Sequence, residues 1–176
     1  MLTTIVLAAR ESFAASPSPA GLRKAMRTLA ALVPLAVGGF SGEVILAGPG
    51  SDAMHRLADE AGCALATGAE PGEALAAALA RSAKRWRLVL AAGSAPEAGF
   101  ADEASDFMAA GENAAAVLRG APETFATRLF PALAPAAGVL ALQAMFPAGR
   151  AADVGQLARL LRPAGVTLRT RARRLL

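Results

Sequence analysis

The chain has 176 residues, 55% of them hydrophobic and 18% charged, with a formal net charge of +4. That length accommodates one domain with a full core, and the apolar content excludes disorder, which needs low hydrophobicity and high net charge. The charge is unevenly placed: residues 1–149 carry 11 Lys and Arg against 13 Asp and Glu, whereas residues 150–176 carry 7 Arg against one Asp. A slightly acidic body with a basic end, here taken as residues 162–176 of a single 1–176 domain, points to an anionic contact at that end.

One cysteine, Cys63, excludes an intrachain disulfide and any zinc site built from several cysteines, and fits a reducing compartment. One histidine, His55, leaves little for histidine-based metal or triad chemistry. The longest apolar run, 29–40, is broken by Pro34 and Gly38-Gly39 and falls short of the roughly 20 residues that span a bilayer. No basic stretch precedes Ile5 to Ala9, as a secretory signal would require. The expectation is a cytoplasmic protein with peripheral membrane contact left open.

In chain order, Thr3 to Ala8 is a β-branched and apolar run, predicting a buried strand, and Ser16-Pro17-Ser18-Pro19 is loop chemistry. Leu22, Met26, Leu29 and Val33 recur at helical spacing, predicting an amphipathic helix that Pro34 and Gly38-Gly39 end. Glu43 to Ala47 is a second strand, Gly48-Pro49-Gly50 a turn, and Ser51 the N-cap of a helix that Gly62 closes. Cys63 to Thr67, a helix from Pro71 to near Ala83, and a strand Arg87 to Ala91 continue the alternation. Such alternation predicts an α/β fold with a mostly parallel sheet, three-layered and Rossmann-like, whose ligands bind at the carboxyl ends of the strands. The second half reads as helix Phe100 to Ala110, strand Ala114 to Leu118, helix Pro122 to Leu133 and strand Val139 to Ala144. Helix Ala151 to Leu161 follows, with Val154, Leu157, Leu160 and Leu161 inward, and Val166 to Arg171 is a last strand or a tail.

Three stretches carry a resemblance. Glu43 to Ala53, followed by Leu57 to Gly62, resembles the second strand, Asp-Gly-Gly-Ser-type loop and helix of family 2 glycosyltransferases with the GT-A fold. Arg87 to Ser94, running on to Pro96-Glu97-Ala98-Gly99-Phe100, resembles that family's strand, Asp-x-Asp metal loop and Pro-x-x-Gly-Phe helix start in a bacterial branch. More faintly, Gly138 to Phe146 and Ala152-Asp153-Val154 to Leu161 resemble the acceptor strand and an acidic helix start.

The resemblance implies a loop aspartate that reads the nucleotide and an Asp-x-Asp pair that holds a divalent cation on the donor's diphosphate. A hard cation wants oxygen ligands there because it neutralises charge growing on the leaving group. In this chain Gly48 stands at the nucleotide aspartate and Ala91-Ala92-Gly93 at the metal loop, so neither metal nor cofactor is expected. Asp153 is the one carboxylate left at the place of the catalytic base.

The candidate nucleotide contacts are Arg10, Gly48, Gly50, Ser51 and Asp52, where a helix N-terminus could cradle a phosphate, although Gly-Pro-Gly is common turn chemistry and lacks the Lys of a P-loop, which favours a plain turn. Trp86 could stack on a base or anchor a helix to the sheet. Arg169, Arg171 and Arg173 would share one face of an extended strand and, with Arg162 and Arg174, bind phosphates or remain a solvated tail. No aromatic residues interleave them, which disfavours nucleic acid. Three functions follow: a noncatalytic glycosyltransferase-like subunit with a protein partner or a second copy, a metal-independent glycosyltransferase using a nucleotide sugar, or an anion-binding module for a membrane surface or nucleic acid.

Overall fold

The computed structural model describes residues 1–14, 19–111, 114–147, 151–161 and 165–175. Ser16, Pro17 and Ser18 of the expected loop, and Arg162, lie outside them. Eight strands form one sheet in the order β3-β2-β1-β4-β7-β6-β8-β5. Its first half holds β1 (Leu2–Leu7), β2 (Ser41–Gly48), β3 (Ala64–Thr67) and β4 (Trp86–Ala91), all parallel. β6 (Ala115–Gly120), β7 (Ala136–Leu142), β8 (Gly165–Arg174) and the three-residue β5 (Ser94–Pro96) complete it, with β7 antiparallel to both neighbours and β8 parallel to β6.

Every residue of β1 is buried because helices cover both faces of the sheet, which is why its sequence is continuously apolar or β-branched. On one face Leu2, Val6, Leu46, Leu88 and Leu90 pack against α1 (Pro19–Val37), α2 (Asp52–Ala61) and α4 (Phe100–Ala109). On the other, Ile5, Ile45, Val89 and Val139 pack against α3 (Pro71–Arg81) and α6 (Val154–Leu161). The three-layer α/β expectation holds.

Several boundaries differ from the sequence pattern. α1 passes through Pro34 and gains another turn before Gly38-Gly39 stops it. The Gly38 N–H still reaches the Pro34 carbonyl at 2.9 Å, so proline removed its own donor without ending the helix. Leu160 is 46% exposed, since α6 buries Val154, Leu157 and Leu161 at spacings of three and four. Trp86 is buried and meets Phe107 of α4 edge to face, with ring centroids 5.7 Å apart, so it anchors a helix and is not free to stack on a base. The strand expected at 139–144 runs from 136 to 142, and the helix expected over 122–133 shrinks to α5 (Phe125–Leu129) and a 3-10 turn at Pro131–Leu133.

The arginine-rich end is a strand. β8 lies between β6 and β5, and its register with β6 slips: Val117 faces Thr167, but Arg119 faces Arg171. β8 thus spends four residues where β6 spends two, and the slip leaves backbone donors without strand partners. Glu103 of α4 takes them: its carboxylate accepts the Arg169 and Thr170 N–H groups at 2.6 and 2.8 Å and the Thr170 hydroxyl at 2.6 Å. Burial raises the Glu103 carboxyl, but the hydrogen bonds from Thr170 and Arg169 outweigh it and hold the group below its ordinary range.

A carboxyl whose folded pKa is depressed adds stability above its unfolded value, near 4.3, and loses it as pH falls through the lower folded value. Thermal melts between pH 7 and 3 should therefore show Glu103→Gln less stable than the parent at pH 7, with the gap closing towards pH 3. A pH-independent gap would remove the carboxylate from this role.

Candidate functional site

Four parallel strands end on one side of the sheet, and the segments leaving them decide what can bind there. β1 leads into a 3-10 turn, Arg10–Phe13, on which Arg10 is exposed. Glu11 of that turn meets Lys24 of α1 at 2.6 Å, and the hydrogen bond from the Lys24 ammonium lowers the Glu11 carboxyl.

β2 ends at Gly48. A Cβ built there would lie 3.3 Å from the Met54 methyl and 3.4 Å from the Ala8 methyl, and Met54 is only 2% exposed. A side chain at the position that the resemblance assigns to a nucleotide-reading aspartate would therefore press on apolar neighbours. Ser51 caps α2 through the Met54 N–H, Gly50 packs towards Thr67, and Asp52 is an exposed first-turn acid that favours the helix dipole. The cavity beside this loop measures about 220 Å³ and is lined by Pro19, Leu22, Pro49, Ala53 and Met54, with Ser12 and Ser51 its hydroxyls.

β4 ends in Ala91-Ala92-Gly93, and Gly93 sits at φ +91°, a conformation that glycine adopts without strain. The backbone of this loop is already bonded. The Gly93 N–H donates to Thr28 Oγ1 at 2.9 Å, Thr28 Oγ1 donates to the Ser94 carbonyl at 3.1 Å, and the Leu175 N–H donates to the Gly93 carbonyl at 2.7 Å. A Cβ at Gly93 would stand 3.3 Å from the Lys24 side chain. The resemblance implies a divalent cation at this loop, but these residues do not fit one. No carboxylate is present on it, and among the described residues no group of three His, Cys, Asp or Glu could hold a metal ion.

A second cavity, about 480 Å³, opens beside Gly93 and extends to Gly120, Thr124, Thr127 and Ala172. Its charged groups are Lys24, Glu123 and Arg174, of which Arg174 meets Glu123 at 3.2 Å. Thr124 and Thr127 lock each other in a reciprocal cap at the start of α5. Of these residues only Arg174 was singled out in the sequence as a contact. Lys24 looks there like one of several basic residues on the outer face of α1, and Glu123, Thr124 and Thr127 carry no motif.

The remaining candidates lie elsewhere. Asp153 is exposed and caps α6: its carboxylate accepts the Gln156 N–H at 2.7 Å while the Gln156 amide oxygen accepts the Ala152 N–H at 2.7 Å. It lines neither of these cavities. On β8, Arg169 and Arg173 are exposed and Arg171 is half-buried, while Leu168 and Ala172 are buried. His55 is exposed, and Cys63 is a half-buried thiol that burial pushes up.

No protein-family model and no curated protein matches the chain in sequence. Solved structures do match in shape. Glucosyl-3-phosphoglycerate synthase from Mycobacterium tuberculosis, in complex with Mn2+, UDP and glucosyl-3-phosphoglycerate, superposes with a TM-score of 0.61 at 19% identity, over 94% of this chain and 68% of that one. The same protein with Mn2+, UDP-glucose and phosphoglyceric acid gives 0.61 at 17% identity, with the same coverage. This chain has the GT-A glycosyltransferase fold. A further mycobacterial protein matches with a TM-score of 0.60 at 19% identity, over 99% of this chain and 65% of that one.

If Met54 and Ala8 press on a side chain at Gly48, placing an acid there alone should not be tolerated. Gly48→Asp is expected to cost about 1–3 kcal/mol in chemical denaturation through overpacking, and a second change, Met54→Ala, should recover part of that loss. An unperturbed Gly48→Asp variant would mean that the space is open.

Proposed function

We propose that this chain is a noncatalytic glycosyltransferase-like protein that serves as a binding or structural subunit of a larger assembly. The observation that carries the reading is the loop Ala91-Ala92-Gly93, which has no carboxylate and whose backbone is bonded to Thr28 and Leu175. Ala91-Ala92-Gly93 offers no side-chain oxygen to hold a cation that would neutralise a leaving diphosphate. The apolar neighbours Met54 and Ala8 at Gly48 support the same reading, because a longer polar side chain there would have to displace them. The cavity beside Gly93 keeps two cations and several hydroxyls, enough for a weakly held polar ligand such as part of a nucleotide sugar.

Lys24 and Arg174 favour one competing function, a metal-independent transferase in which cations take over the metal's electrostatic task. Each is held by a carboxylate, Glu11 or Glu123, so its charge is already compensated at rest. Asp153, the only base that reading offers, is engaged as a helix cap.

Titration calorimetry with UDP-glucose and GDP-mannose, with and without manganese, separates the two. The expected result is no manganese-dependent heat and no sugar transfer or donor hydrolysis. Manganese-dependent binding, or turnover that Lys24→Ala abolishes, would overturn the noncatalytic reading. Native mass measurement after gentle purification from the host should show the chain in a stable assembly, and a free monomer at native abundance counts against the subunit role.

A further inference from the structure

The connection from β6 to β7 closes on itself: the Gly120 N–H donates to the Pro135 carbonyl at 2.8 Å, so residues 121–134 form a loop with its two ends together. From 122 to 133 every residue is exposed except the half-buried Thr127. Polar composition is the rule for such a loop, yet this one carries Phe125, Leu129, Phe130 and Leu133, exposed by 76%, 58%, 61% and 65%. They are four of the ten large apolar side chains exposed among the described residues, gathered within nine positions. Exposed apolar groups concentrated in this way mark a contact surface.

Basic groups predominate on the loop and at its base. Arg128 lies within it, and Arg119 at its base donates to the Ala134 carbonyl at 2.7 Å. Arg119 is the register partner of Arg171, which shares its face of β8 with Arg173. The Ala121 N–H donates to the Ala172 carbonyl at 2.7 Å, which ties the loop to that strand. Glu123 is the one acid within 119–134, and Arg174 already pairs with it.

We propose that the loop 121–134 and the adjoining Arg173 of β8 dock the protein on an anionic lipid bilayer, the apolar side chains entering the headgroup boundary and the exposed guanidinium groups of Arg128 and Arg173 meeting lipid phosphates. Charge complementarity selects this occupant. A second copy, facing this one across a twofold, would set the same unpaired arginines against each other. Four side chains of this size also offer on the order of half the roughly 800 Å² that each partner buries in a stable protein interface. A shallow apolar insertion supported by basic groups, by contrast, is sufficient at a bilayer surface.

The test is co-sedimentation of the full chain with vesicles of phosphatidylcholine alone or with about one quarter phosphatidylglycerol, enough to set up an attractive surface potential. The protein should pellet with the anionic vesicles, less so at high salt, and stay in solution with the neutral ones. Phe125→Ser with Phe130→Ser and Leu133→Ser should lower partitioning at least about tenfold. Arg128→Gln with Arg173→Gln should lower it by roughly 25-fold, about fivefold for each charge. All five side chains are exposed, so both variants should melt as the parent does; should the triple variant misfold, Phe125→Ser alone carries the apolar arm. No binding to anionic vesicles at low salt, or equal binding by both variants, overturns the proposal. A dimer in sedimentation equilibrium that the apolar variant dissolves also overturns it, and assigns the loop to a second copy.

Discussion

The insertion of β8 between β6 and β5 is the constraint on which the second half of this molecule depends. It links a strand near the C-terminus to one about 50 residues earlier, and in doing so brings Leu175 onto the Gly93 carbonyl and Ala172 onto Ala121. Those two contacts fix the loop at the end of β4 and the base of the 121–134 loop. Glu103 makes the pairing possible, because the register slip would otherwise leave consecutive N–H groups without acceptors. One acid on α4 thereby supports the site region from a distance.

The site region combines a GT-A fold with a β4 loop whose backbone is already bonded within the molecule. The strands deliver their carboxyl ends to one side, as in other α/β sheets, but the groups placed there serve the fold. Thr28 and Leu175 take up the loop backbone, Met54 lies against Gly48, and Glu11 and Glu123 compensate the two cations. A similar economy governs Arg87 on β4. It is fully buried, donates to the Ser82 carbonyl at the end of α3 at 2.6 Å, and burial lowers its pKa while the nearby Glu43 carboxylate opposes that shift. A cation at a helix C-terminus is favoured by the helix dipole, so this arginine stabilises a helix end.

Much of the first half was legible because local signals agreed. Ser51 and Gly62 bracket α2 as expected, with Gly62 in the left-handed conformation, and β1 declares itself by an unbroken apolar run. Legibility failed where local pattern and tertiary pairing diverge. The segment 122–133 has apolar residues at helical spacing, but no sheet face is available to it, so it forms one short turn of helix with nothing buried. Arg169 to Arg174 read equally as tail or strand, because pairing partners 50 residues away leave no trace in the local composition. Lys24 was invisible as a cavity-lining residue for the same reason: only the packing of α1 beside β5 brings it to Gly93.

The sequence alone determined the alternating α/β architecture, the absence of a carboxylate from Ala91-Ala92-Gly93 and the concentration of arginine near the C-terminus. These depend on residue identity and short-range periodicity. Only the tertiary structure decided that Gly48 lies against Met54 and Ala8, that Asp153 is a cap, that Gly165–Arg174 is a strand, and that four apolar side chains stand beside it on a closed loop. Each of those depends on contacts between residues distant in the chain, whose geometry is set by which strands pair and in what register.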